Sequence, residues 1–297
     1  MTARCGFAAI VGAPNAGKST LLNRLTGAKL SIVSPKAQTT RMRVLGVAMR
    51  GESQILLVDT PGIFRPRRRL DRAMVAAAWG GAADADLVLF LVDARAGLTE
   101  PVRQIAAGLA KRSGTLWLVL NKVDLVAPPR LLPLVAELGA LAPFAETFMV
   151  SAATGDGLDR LLDRLAEAMP AGPHLYPDDE LTDLPDRLLA AELVREQIFL
   201  QTHEEVPYGA TVETENWQER KDGSVRVEAT IYVARPGHKA ILIGERGARI
   251  REIGARARAE LARLLERPVH LFLNVKERAG WDEEAARLRA LGLEDPS

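Results

Sequence analysis

Apolar runs bounded by turn residues set the rhythm of the first half of the chain. Residues 7–11, Phe-Ala-Ala-Ile-Val, read as a buried strand, and Ser19 to Leu25 reads as the start of a helix. The polar, poorly periodic stretch from Ser31 to Met42 predicts a loop. Residues 44–49 and 54–58 are strand-like and meet at Arg50-Gly51-Glu52-Ser53, which predicts a hairpin. Two more buried strands are expected over 87–92 and 115–120, with helical patterns between and after them, then a short strand over 147–150 and a helix over 158–169. Strands alternating with helices in this way predict an α/β domain built on a largely parallel sheet.

The pattern changes after residue 170. Pro170 to Pro177 is rich in turn residues and runs into an acidic cluster of Asp178, Asp179, Glu180, Asp183 and Asp186, the composition of an interdomain connector. From Pro185 to about Thr202 a helix is expected, with Leu188, Leu189, Leu193, Val194, Ile198 and Phe199 spaced for one buried face. Residues 210–219 and 225–234 alternate as strands around the turn Lys221-Asp222-Gly223-Ser224, and a long helix begins near Ala248. The expected organisation is a first domain over 1–174, a linker over 175–184, and an α+β domain with a C-terminal tail helix over 185–297.

Composition bounds the reading. At 297 residues and 47% hydrophobic content, the chain can build two real cores. Its single cysteine, Cys5, excludes an internal disulfide and a cysteine-rich zinc module. No apolar run approaches the roughly 18 residues of a membrane span, so a cytoplasmic protein is expected. The net charge is +1, yet residues 1–170 carry 21 Lys and Arg against 14 acids, while residues 235–267 carry nine against four. A basic surface is therefore expected on the second domain despite its acidic total.

The chemistry is concentrated in five short stretches, each at the C-terminal end of an expected strand, where α/β folds bind ligands. Gly12-Ala13-Pro14-Asn15-Ala16-Gly17-Lys18-Ser19, followed by Thr20, is a complete P-loop between strand and helix. Its glycines let backbone N–H groups turn inward to cradle a polyphosphate. Lys18 is expected to reach the β- and γ-phosphates and the Ser19 hydroxyl to ligate Mg²⁺. Asp59-Thr60-Pro61-Gly62 places a carboxylate where it can hold the Mg²⁺ hydration shell and a Gly62 N–H where it can approach a γ-phosphate. In Asn121-Lys122-Val123-Asp124, the Asp124 carboxylate can accept from the ring N–H and the exocyclic amine of guanine, a donor pair that adenine lacks. Asn121 is expected to bridge this loop to the P-loop, with the Lys122 stem over the purine. Ser151-Ala152-Ala153 lets a backbone N–H reach the guanine oxygen.

In sequence, these stretches and the Gln38-Thr39-Thr40-Arg41 loop resemble the motifs of the translation-factor-related GTPases, a Ras-like P-loop NTPase fold. The resemblance implies that Thr40, rather than Thr39, closes on the nucleotide and ligates Mg²⁺, with residues 31–43 and 61–80 as switches. Lys18, Thr40, Gly62 and Asn15 are then the expected catalytic groups. Ile63 stands where signalling GTPases carry a water-orienting Gln and cannot hydrogen-bond through its side chain, so slow intrinsic hydrolysis is expected. Related GTPases with Asn at position 15 use it to coordinate K⁺. Arg65, Arg67, Arg68 and Arg69 read first as a solvated run and second as a contact to RNA phosphates.

In the second domain, Gly244-Glu245-Arg246-Gly247 sits between two helices, in the order helix, strand, strand, helix, G-x-x-G, helix, strand. This is the layout of a type II KH module, whose loop clamps a nucleic-acid backbone. Lys239, Arg246, Arg249 and Arg251 are the expected phosphate contacts and Ile241 and Ile243 the apolar floor, while Arg256 and Arg258 read as a solvated helix face. The combination resembles the Era family of bacterial GTPases over nearly the whole chain, including the stretch from Ile243 to Gly254 and the tail from Val275 to Trp281. That resemblance implies binding of GTP and GDP, a 16S ribosomal RNA 3′-end partner, a role in small-subunit maturation, action as a monomer and peripheral contact with the inner membrane. Glu245 departs from the family, which usually carries Lys or Arg inside G-x-x-G. Two other readings stand beside this one: an RNA chaperone with a structural nucleotide, and a GTPase of tRNA modification or membrane trafficking.

Overall fold

The first strand, β1 (Arg4–Gly12), is almost wholly apolar because it is covered on both faces at the centre of a sheet. It leads through the P-loop into α1 (Lys18–Thr26). A hairpin follows, β2 (Val44–Arg50) and β3 (Ser53–Asp59), turning through Gly51 and Glu52 as its sequence requires. Next come α2 (Arg69–Asp84), β4 (Leu87–Asp93), α3 (Glu100–Leu109), β5 (Thr115–Asn121), α4 (Leu131–Gly139), β6 (Glu146–Met149) and α5 (Leu158–Ala168). The sheet order is β2-β3-β1-β4-β5-β6, with β2 antiparallel to β3 and every other pairing parallel. This computed structural model describes residues 3–203 and 205–294.

The chain divides into two compact units, residues 1–31, 40–183 and 288–297 forming one and residues 32–39 and 184–287 the other. In the first, Val88, Phe90 and Val92 of β4 and Leu118 and Leu120 of β5 pack with Ile105 and Leu109 of α3 to form the core on one face of the sheet. Cys5 is buried on the same face, toward the β2 edge, with Leu45, Val47 and Leu56. The acidic connector does not trail free. The Leu181 carbonyl accepts from Val47 N–H at 2.9 Å and the Thr182 hydroxyl donates to the Leu45 carbonyl at 2.5 Å, so the connector lies along β2. Gln54 reinforces it, donating to the Tyr176 carbonyl and accepting from the Leu175 and Tyr176 N–H groups.

The second unit runs α6 (Asp186–Gln201), β7 (Ala210–Glu219), β8 (Val225–Val233), α7 (Pro236–Ile243), α8 (Ala248–Leu264) and β9 (Val269–Glu277); a short α9 (Ala285–Ala290) follows later in the chain. Its sheet is ordered β7-β8-β9, antiparallel then parallel, leaving β9 at an edge. Ala191, Val194 and Ile198 of α6 meet Ile253 and Ala257 of α8 and Ile231 of β8 in one core. The one-sided burial expected of α6 is not what the structure shows. Every residue from Ala190 to Phe199 is buried, including Glu192, Arg195, Glu196 and Gln197. Part of the cause is residues 32–39, whose Val33 N–H donates to Glu196 at 2.9 Å. Arg195 is held by a bidentate pair with Glu192 and lies over the Phe199 ring, the kind of partnering that lets a guanidinium enter an interior.

Candidate nucleotide and RNA sites

The phosphate cradle forms because β1 delivers the chain to Gly12 and α1 takes it away from Lys18. Gly17 holds φ +97°, and a Cβ there would stand 2.3 Å from the Asn121 amide, so only glycine fits. Asn15, at the exposed tip of the loop, also has positive φ, at 62°. The Lys18 ammonium is buried and donates to the Gly12 and Ala13 carbonyls at 3.3 and 3.0 Å. Burial pulls its pKa down to about 8, against the opposing pull of the Asp59 charge.

Asp59, at the end of β3, is fully buried. Its Oδ2 accepts from Ser19 Oγ at 2.7 Å and from Ser31 Oγ at 2.8 Å. Thr40 Oγ1 lies 2.8 Å from Ser19 Oγ. Thr39 instead bonds within its own loop, to Ser34 Oγ and the Lys36 carbonyl. Burial pushes the Asp59 carboxyl upward; Lys18 and the Ser19, Ser31 and Thr40 hydroxyls pull the other way. Its Oδ1 is buried with no hydrogen-bond partner. An orphaned carboxylate oxygen beside two hydroxyls is costly by itself and is the hard-oxygen donor set of a Mg²⁺ shell completed by phosphates and water. The residues therefore fit Mg²⁺.

On the neighbouring segment, Thr60 ties its hydroxyl to the Ile10 carbonyl at 2.8 Å, which makes it a fastening between strands. Pro61 leads to Gly62, which lies against Pro14; a Cβ at Gly62 would come within 3.0 Å of that ring. Ile63 donates its N–H to the Gly12 carbonyl at 3.1 Å and buries its side chain in the core.

The base side is assembled by Asn121. Its amide donates to the Ala16 carbonyl at 2.8 Å, and its Oδ1 accepts from Ala152 N–H at 3.0 Å, so one side chain joins three loops. Lys122, itself in the left-handed region, donates to the Asn15 carbonyl at 2.7 Å and pairs with Asp93 at 2.6 Å. Asp124 stands exposed in a single 3₁₀ turn. Ser151 is buried and caps the turn through Thr154 N–H, while Ala153 lies exposed beyond it.

Sequence reasoning passed over four residues here. Asp93 anchors Lys122 and ends β4 just as Asp59 ends β3, so its signal was the same strand-end position. Arg24 of α1 donates to the Ala152 and Ala153 carbonyls. Asn23 clasps Leu30 N–H and Ser31 N–H, setting Ser31 on Asp59. Ser31, Asn23 and Arg24 act across folded loops, and no local pattern marks them.

The second unit presents a different surface. Gly244 (φ 69°) ends α7, and the turn Glu245–Gly247 opens α8. Arg251 donates to the Arg246 carbonyl at 2.7 Å and Arg249 to the Ile241 carbonyl at 3.3 Å, so both arginines brace the loop. A groove of about 410 Å³ runs between α8 and the edge strand β9, lined by Ile250, Arg251, Gly254, Arg258, Leu271, Phe272 and Leu273 among others. Its apolar lining comes from α8 and β9. Ile243 packs on the core, and Ile241 and Lys239 are exposed on α7. Phe272 is 50% exposed, with the Arg226 guanidinium 4.7 Å from its ring centre. Neither it nor the groove-lining role of Arg258 was foreseen.

Known proteins carry the same two parts. A family model described as a 50S ribosome-binding GTPase matches residues 7–122, and a KH domain model matches residues 205–282. The GTPase Era of Afipia carboxidovorans is 54% identical over 99% of this chain and 95% of its own length. That of Dinoroseobacter shibae is 53% identical over 98% and 96%. An Era structure in complex with MgGDPNP and nucleotides 1506–1542 of 16S ribosomal RNA superposes with a TM-score of 0.94 at 41% identity, covering 98% of this chain and 99% of that one. A variant of Aquifex aeolicus Era bound to GDP and AlF₄⁻ gives 0.93 at 40% identity over the same shares. With relatives this similar along their whole length, the chain belongs to the Era family of GTPases.

Proposed function

We propose that this chain binds Mg²⁺·GTP in the cradle of the first unit, hydrolyses it slowly, and uses the KH groove to hold the single-stranded 3′ end of 16S ribosomal RNA during small-subunit maturation. The observation that carries the reading is the convergence of Ser19, Thr40 and the unpartnered Asp59 oxygen beside a loop system stapled by Asn121. Lys18 would sit against the β- and γ-phosphates, and the Gly62 N–H would face the γ-phosphate. Ser19 and Thr40 would ligate Mg²⁺, with Asp59 holding its water. Bound there, the ion would offset charge gathering on the phosphate oxygens. Asp124 would read guanine, Lys122 would cover its face, and Ala152 and Ala153 would border its oxygen.

Ile63 is committed to the core and cannot orient water, which supports slow turnover. Asn15, exposed at the loop tip, supports K⁺ coordination near the phosphates; turnover indifferent to replacing Na⁺ by K⁺ would remove that part. In the second unit, the loop at Gly244–Gly247 would take the RNA backbone and the groove its bases, with Arg249, Arg251 and Arg258 nearby. The proposed division is a nucleotide domain to about residue 174, a connector over 175–184 and an RNA domain beyond. Among the described residues no helix is long and apolar enough to cross a membrane. The family resemblance supports a monomer in the cytoplasm that touches the inner membrane peripherally.

The test is base preference. Asp124→Asn exchanges two acceptors for an acceptor and a donor, which complements xanthine in place of guanine. Calorimetry should show GTP binding at least tenfold weaker and xanthosine triphosphate binding gained. Unchanged preference, or ATP bound as firmly as GTP by the native chain, would refute the reading.

A further inference from the structure

Arg24 stands in the last turn of α1, the helix that opens with Lys18 at the phosphate cradle. Its side chain leaves the helix for the loop that follows β6. Arg24 Nε donates to the Ala152 carbonyl at 3.2 Å and Nη2 to the Ala153 carbonyl at 2.5 Å. Two nitrogens of one planar guanidinium thus hold two consecutive carbonyls, which a fork of donors can do and a single ammonium does poorly. The grip joins residues 128 apart in the chain.

The N–H groups of the same loop are tied by other means. Ala152 N–H donates to Asn121 Oδ1 at 3.0 Å, Ser151 N–H to the Asp156 carbonyl at 3.0 Å and Thr154 N–H to Ser151 Oγ at 3.1 Å. The Ala153 N–H has no acceptor among the described residues. That N–H shares one peptide plane with the Ala152 carbonyl, and in a trans peptide the two point in opposite directions. Pinning the carbonyl to Arg24 therefore aims the Ala153 N–H away from the guanidinium. It is a donor whose direction is fixed and which the protein itself does not use.

We propose that Arg24 is a positioning residue for guanine recognition, which turns the Ala153 N–H toward the guanine oxygen while Asp124 takes the ring N–H and the exocyclic amine. The oxygen accepts from that N–H, whereas adenine carries an amine at the same position and sets donor against donor. From Lys18 to Arg24 the helix rises about 9 Å, so one rigid element sets the loop that meets the base at a fixed distance from the lysine that meets the phosphates. A loop held in place before the base arrives loses less freedom on binding. The inference rests on the proposed guanine-nucleotide reading and names the residue that sharpens its base preference.

The test uses the full chain with Mg²⁺ and calorimetric affinities for GDP, ADP, inosine diphosphate and 6-thioguanosine diphosphate, in the native chain, Arg24→Ala and Arg24→Lys. The thio analogue replaces only the guanine oxygen, by a sulfur that accepts hydrogen bonds weakly; inosine diphosphate lacks only the exocyclic amine assigned to Asp124. The native chain should hold GDP at least about fivefold tighter than the thio analogue, the factor carried by a hydrogen bond of ordinary net strength. Arg24→Ala should bring that ratio to within about twofold of unity and leave the ratio of GDP to inosine diphosphate unchanged. Arg24→Lys, which keeps the charge but not the fork, should fall between the two. A thio ratio retained in Arg24→Ala would overturn the role of Arg24, and so would a fall of both ratios together, the mark of a site that has merely loosened. A native chain that holds ADP as firmly as GDP would overturn the guanine reading itself.

Discussion

Lys18 makes nucleotide affinity depend on pH in a direction the structure dictates. Its ammonium is buried and donates to the Gly12 and Ala13 carbonyls, and burial brings its pKa to about 8. Phosphate oxygens would stabilise the charged form and return the pKa to the ordinary lysine value of about 10.4 or above. The folded pocket without nucleotide therefore has the lower pKa, and binding takes up a proton wherever free Lys18 is neutral. Below about pH 7 free Lys18 is already charged and affinity should be flat on its account. At pH 9, one unit above its pKa, only about a tenth of free Lys18 is charged, so binding should take up about 0.9 proton, and affinity should fall toward tenfold per further unit. Between the free and bound pKa values the linked loss approaches about 3 kcal/mol. Titration calorimetry with GDP at pH 8.8, in two buffers of different ionisation enthalpy, measures that uptake directly. GDP affinity that stays constant from pH 7 to 9, with no buffer dependence of the heat, would refute the assigned state of Lys18.

Two further outcomes follow from named contacts. Asn121→Ala leaves the buried Ala16 carbonyl and Ala152 N–H without partners at about 1–3 kcal/mol each; denaturant unfolding should show the first unit destabilised by about 2–5 kcal/mol, and a loss under 1 kcal/mol would mean the staple carries nothing. Arg258→Glu puts a carboxylate into the lining of the KH groove, and since attraction to phosphates carries much of nucleic-acid affinity, RNA binding by fluorescence anisotropy should weaken about fivefold or more while RNA-free GTP turnover is unchanged; undiminished RNA affinity would place the RNA elsewhere.

Much of the nucleotide site was legible because each of its motifs ends a strand. Asp59, Asn121 and Ser151 are polar residues closing apolar runs, and parallel pairing of β3, β1, β4, β5 and β6 brings those ends to one rim. Asp93 carried the same mark, but its partner Lys122 lies on the adjacent strand's exit, and only the β4–β5 register, with Asp93 opposite Asn121, makes them neighbours. The KH groove was harder. The alternation of β9 shows two faces without saying which is open, and that is settled by its edge position and by α8 lying alongside. For α6, the spacing of leucines located the inner face correctly, but the polar face is sealed by residues distant in sequence. A helical period encodes what a segment wants to bury, not what later covers its other side.

The connector laid along β2 has a consequence for the protein's behaviour at high concentration. β2 is the outermost strand of a six-stranded sheet, and an open strand of that kind offers its free peptide groups to any extended chain it meets. By occupying the Leu45 carbonyl and the Val47 amide, Leu181 and Thr182 shield that margin from self-association. The acidic residues around them add mutual repulsion between molecules at the same place. A stretch whose composition marks it as a tether thus also guards solubility, and proteolytic nicking there would be felt first as precipitation.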